Sequence, residues 1–211
     1  MTRTIVVSEQ INANIKRDNV VDLDRQALTN EVGTVPDAVK SYITVTEQGD
    51  NLVHRTVLNC VDLPVTITDD PGVAQYGGVK VYTFPEGLIF SKGAVVSGNL
   101  TGGVTGTIID AFTGVNALGT VVATTGSTLT GTEATWLQST ANGTAATKVA
   151  PIASVSVATA LTESPSRAVD GSTTPAPIFL NFAIADDATH TSGTGTFTGT
   201  ITFNWEKIGD K

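Results

Sequence analysis

The chain is short of charge. Only 15% of its 211 residues are Asp, Glu, Lys or Arg, and 12 basic side chains face 20 acidic ones, for a net charge of −8. A protein that grips nucleic acid needs lysine and arginine to displace the counterions condensed on phosphates, so direct nucleic-acid binding is not expected. Cysteine is nearly absent: Cys60 stands alone, which rules out a disulfide within one chain and a cysteine-built metal site. In the run Val57-Leu58-Asn59-Cys60-Val61 it reads as a buried small hydrophobe rather than a reactive thiol. Long apolar runs are missing too. Ile5-Val6-Val7 is too short for the core of a signal peptide, and no stretch of about 20 apolar residues offers a membrane-crossing helix. A soluble chain made in the cytoplasm, with no membrane contact, is the expectation.

What is abundant points to strands. Threonine occurs 35 times, valine 25 and glycine 21. Branching at Cβ stiffens χ1 and favours the pleated strand, while glycine supplies turns. Residues 1–62 hold 15 charged side chains, but residues 93–162 hold only Asp110, Glu133 and Lys148. This neutral stretch is punctuated by Val95-Val96, Ile108-Ile109, Val121-Val122 and Val155/Val157, the rhythm of short strands between Gly and Thr turns in a sandwich or barrel. The clearest strand alternates Thr194, Thr196, Thr198, Thr200 and Thr202 with Phe197, Ile201, Phe203 and Trp205, so its apolar members should meet a core. Ile178, Leu180, Phe182 and Ile184 mark a second strand, and the polar connection between the two predicts a long-looped antiparallel hairpin. Val61, Leu63, Val65 and Ile67 read as a third, with Pro64 placing it at an edge or an interruption. Residues 20–30 and 132–139 are the only helix candidates, two turns each, and neither keeps an amphipathic stripe. The fold class expected is all-β, a β-sandwich or jelly-roll-like barrel of short antiparallel strands. Residues 1–50 form an N-terminal arm or extension and residues 51–211 the β domain.

Catalytic groups are sparse. Asp186, Asp187 and His190 in Asp-Asp-Ala-Thr-His could bind a divalent ion or orient a base, but acidic and hydroxyl side chains in such a loop ordinarily bond local amides. His54, beside Arg55, reads as an exposed or paired surface position. Asp69-Asp70 precedes the turn Pro71-Gly72 without the alternating spacing that surrounds calcium with six or more oxygens. Gly77-Gly78 and Gly102-Gly103 lack the Lys-Ser/Thr of a phosphate loop. No enzyme, no metal and no cofactor are expected. Trp136 lies in a neutral stretch where it could anchor an interface, face a sugar or join the core.

Two phrases carry a resemblance. They are Gly77-Gly78-Val79-Lys80-Val81-Tyr82-Thr83-Phe84-Pro85-Glu86-Gly87 and the ending Leu180-Asn181-Phe182-Ala183-Ile184-Ala185-Asp186-Asp187 with Gly199-Thr200-Ile201-Thr202-Phe203-Asn204-Trp205. Over roughly residues 57–211 the chain resembles the head decoration, or cement, proteins of tailed phages. That resemblance implies a β-sandwich or jelly-roll domain, usually a homotrimer, on the outer face of the virion capsid, where it clamps neighbouring subunits of the major capsid protein. Within it, Arg3, Lys16, Arg17 and Arg25 are the expected capsid contacts, on an extended arm whose basic groups meet carboxylates. Two other readings compete: a tail or fibre component or carbohydrate-binding module in which Trp136 or Tyr82 stacks on sugar, and a metal-dependent enzyme using Asp186, Asp187 and His190.

Overall fold

A computed structural model describes residues 32–49, 53–70, 74–101, 114–124, 129, 131–141, 152–156, 168–185 and 192–208. These residues are all-β apart from a single 3₁₀ turn at Thr132–Ala134. Ten strands follow in chain order: β1 Ile43–Gly49, β2 Val53–Asp70, β3 Ala74–Thr83, β4 Leu88–Thr101, β5 Gly114–Gly119, β6 Leu137–Ala141, β7 Ile152–Ser156, β8 Ala168–Asp170, β9 Pro177–Ala185 and β10 Gly193–Ile208. They form one antiparallel sheet in the order β6-β5-β9-β3-β2-β10-β4-β7, with β1 added to β2 and β8 to β4. The sheet curls into a half-barrel, so the expected barrel-like all-β class holds.

The C-terminal alternation folds as read. Phe197, Ile201, Phe203 and Trp205 are fully buried along β10, and the threonines between them face outward. Rings dominate the core. Phe84 stacks on Trp136 with centroids 4.5 Å apart and meets Trp205 edge-on at 5.1 Å, Tyr82 at 5.4 Å and Phe203 at 5.7 Å. Edge-to-face and offset contacts of this kind add about 0.5–1.5 kcal/mol per pair beyond area burial.

Strand β2 explains how several short alternating segments become one strand of 18 residues. His54, Thr56, Leu58 and Cys60 face inward, and then Leu63, Val65 and Ile67 do. The inward set changes from even to odd numbers because β2 carries an extra residue where Phe197 pairs with Leu63 and Gly199 with Cys60. Asp62, at φ 51°, takes the left-handed turn of this bulge, and its amide donates to Thr198 Oγ1 at 2.9 Å. Val61, grouped with the inward residues by its spacing, is therefore 61% exposed. Pro64 sits between the stretch of β2 that pairs with β1 and the stretch that pairs with β3, so its missing N–H interrupts nothing on that edge.

Four expectations are corrected. Strands β9 and β10 do not form a hairpin: β9 pairs with β3 and β5, β10 with β2 and β4. Val121-Val122 lies outside the strands, with side chains 42% and 37% exposed. Residues 132–139 make the 3₁₀ turn and then enter β6 rather than forming two helical turns. The stretch 162–177, whose Pro165, Gly171, Pro175 and Pro177 suggest a surface loop, contains β8. Of the arm expected over 1–50, residues 1–31 lie outside the described residues, as do residues 108–109. Residues 32–49 are seen joined to the body, with Val39 and Ile43 in the core and β1 paired along its length with β2.

Candidate functional site

The outer surface of β1, β2, β10 and β4 contains two complete cross-strand rows without a charge. One runs Thr44, Asn59, Thr200, Ser97, and the next Thr46, Val57, Thr202, Val95. Directly paired residues share a face, so these eight side chains form a continuous surface about 15 Å across. Thr44, Asn59, Thr200 and Ser97 are exposed, and the second row is exposed or half-buried. Charge begins at the margins, with Arg55 in the following row, Asp62 at the β2 bulge, and the ion pair Lys92 Nζ to Glu206 Oε2 at 3.1 Å. Tyr42 and Val61 add exposed apolar surface at one corner, joined by a Val61 N–H bond to the Tyr42 carbonyl at 2.9 Å.

Beneath this face, a polar chain pins the root of the N-terminal segment. Thr34 and Thr83 exchange backbone hydrogen bonds of 2.8 Å. The Gly33 N–H donates to Tyr82 Oη at 2.8 Å, and Tyr82 Oη donates to Glu47 Oε1 at 2.5 Å. Thr56 Oγ1 donates to Glu47 Oε2 at 2.8 Å, and Trp205 Nε1–H donates to Thr56 Oγ1 at 2.9 Å. A side chain at position 33 would run into the Thr83 carbonyl and the Tyr82 ring, so the close approach requires glycine. Burial pushes the Glu47 carboxyl above its usual value, opposed by the bonds from Tyr82 and Thr56. Burial, followed by the neighbouring Glu47 charge, raises Tyr82 strongly, so it acts as a neutral donor.

A second clamp was not read from the sequence. Asn181, fully buried on β9, accepts from Ala123 N–H at 2.9 Å and donates to the carbonyls of Val121 at 2.9 Å and Glu133 at 2.8 Å. It holds the segment after β5 and the 3₁₀ turn against the sheet. Its place between Leu180 and Phe182, both inward, gave only the impression of an outward polar residue.

The candidates named from the sequence are placed as follows. Arg3, Lys16, Arg17 and Arg25 lie outside the described residues, and so do Asp186, Asp187 and His190. His54 is not a surface residue. It is 1% exposed and stacks on Trp205 with centroids 3.9 Å apart and planes 8° from parallel, because the pairing sets it directly opposite Trp205 on the inward face. Trp136 and Tyr82 are 5% and 0% exposed, so neither ring presents a face on which a sugar could stack, and the sugar-binding roles given to them are withdrawn. Cys60 is buried as expected, and burial pushes its thiol up to about 12. Gly77 and Gly78 lie mid-strand in β3, where a side chain would meet Thr66 or Asn181. Among the described residues no three His, Cys, Asp or Glu side chains gather as metal ligands. No family model, curated protein or solved structure matched this chain.

Proposed function

We propose that the chain is a structural virion protein, a decoration protein that binds the outer face of a tailed-phage capsid and stabilises contacts between major capsid subunits. The observation that carries the reading is the pair of uncharged rows across β1, β2, β10 and β4. A broad hydroxyl-and-valine surface docks without stripping water from charges, and charge confined to its margins sets orientation. The bonds that tie Gly33 to Tyr82 and Thr34 to Thr83 support the second half of the proposal, since they fix the point at which the expected arm meets the β domain. Arg3, Lys16, Arg17 and Arg25 are the capsid contacts in that scheme, and a homotrimer is its assembled form. The mechanism is mass action. Binding only the assembled, expanded shell stabilises that state by about 4 kcal/mol per site when free protein is at 1,000 times its dissociation constant.

Co-sedimentation with expanded empty heads tests the reading. The parent chain should pellet with heads, whereas Thr200→Glu and deletion of residues 1–30 should each leave a folded protein that stays in the supernatant. Binding by neither the parent nor its trimer, or undiminished binding by both variants, overturns it. Light scattering checks the assembly, with three times 21.8 kDa expected.

A further inference from the structure

At the far end of β2 the inward-facing pattern closes on polar atoms. Asp69 continues the inward series of Leu63, Val65 and Ile67, and it pairs directly with Gln75 on β3, so both side chains point to the same side of the sheet. Gln75 is fully buried. Neither its Oε1 nor its Nε2 has a hydrogen-bond partner, and the same is true of the buried Asp69 Oδ1. The backbone amide of Asp69 is itself satisfied, donating to Ser192 Oγ at 3.0 Å. Orphaned buried polar atoms are costly, because each has left water without gaining a hydrogen-bond partner.

The geometry points to a hard-cation site, of the calcium class, between Asp69 and Gln75. Asp69 Oδ1 supplies the anionic oxygen and Gln75 Oε1 a neutral one, with water completing the six to eight oxygens such an ion takes. The ion's hydration shell also gives Gln75 Nε2 an acceptor. The alternating Asp spacing sought in the sequence is absent because the second ligand comes from the neighbouring strand. Two protein ligands set a weak site, with dissociation in the range of about 0.1–1 mM found for extracellular calcium modules.

Thermal melts of the full chain in EDTA and in rising CaCl₂, with calorimetric titration of Ca²⁺, test the assignment. One ion per chain and a saturable rise of about 5–10 °C at a hundredfold excess over the dissociation constant are expected. Asp69→Asn should melt cooperatively in EDTA yet lose the calcium response, and Gln75→Met should lose at least half of it. A parent chain whose melting temperature is the same in EDTA and 10 mM Ca²⁺ overturns the proposal and leaves water as the partner of these atoms. A full response retained by both variants overturns it too, since the ion then binds elsewhere.

Discussion

The two ends of β2 treat buried side-chain oxygens in opposite ways. Near its start, Thr56 belongs to a chain of donors and acceptors running from Trp205 through Glu47 and Tyr82 to Gly33, and every step is a bond of 2.5–2.9 Å. Near its end, Asp69 and Gln75 bury three polar atoms that bond to nothing within the protein. The first end is packed among rings, and its polar groups tie strands that are far apart in sequence. Buried oxygens satisfied by the protein itself tie the fold together; those left open call for water or an ion.

The largest expected effect tests the ring-packed end. Phe84→Ala removes the ring that touches Tyr82, Trp136, Phe203 and Trp205, and should cost about 3–5 kcal/mol in urea unfolding. A loss below about 1 kcal/mol would mean that these contacts do not organise this end. Next comes a matched pair. Tyr82→Phe strands the Gly33 N–H and one Glu47 oxygen and should lose about 1–3 kcal/mol, whereas Gln75→Met in EDTA removes two orphaned atoms and should be neutral or gain about 1 kcal/mol. Equal losses for the two variants would erase the contrast between the ends.

Glu47 sharpens the contrast through pH. Because burial raises its pKa, the folded chain keeps a proton that the unfolded chain has already released. The contribution of Glu47 to stability is therefore greatest below the ordinary carboxylate value of about 4.3 and falls as pH rises through the raised folded value. Urea midpoints measured across that window should decline for the parent and decline less for Glu47→Gln; parallel curves would assign the pH dependence to other groups. The smallest effect is at the rim. Lys92→Ala breaks an ion pair whose side chains are 42% and 28% exposed, and a stability change within about 1 kcal/mol is expected.

How far the sequence could be read follows from the same geometry. The period of β10 was plain because its inward set, Phe197 to Trp205, keeps one parity throughout, the β2 bulge opposite it falling on the other strand. In β2 that bulge shifts the parity, which hid the inward position of His54 and the exposure of Val61. Strand β9 was recognised, but its burial on both faces, with Asn181 and Ala183 as inaccessible as Leu180, reflects neighbours that only the pairing order supplies. Sequence neighbours β9 and β10 were expected to pair, yet two strands separate them. The polar chain at Glu47 was invisible for a related reason: Gly33, Glu47, Thr56, Tyr82 and Trp205 form no motif, and only the curvature of the sheet brings them together.

Cys60 gives this architecture a built-in clock. Its thiol is 2% exposed, is pushed up to about 12 by burial, and sits where β2 is paired with Ile43 on one edge and Gly199 on the other. A thiol reagent can reach it only when the inward face of β2 separates from the core packed against it. The labelling rate under native conditions thus times that separation, and, with a single sulfhydryl in the chain, no second signal blurs the reading.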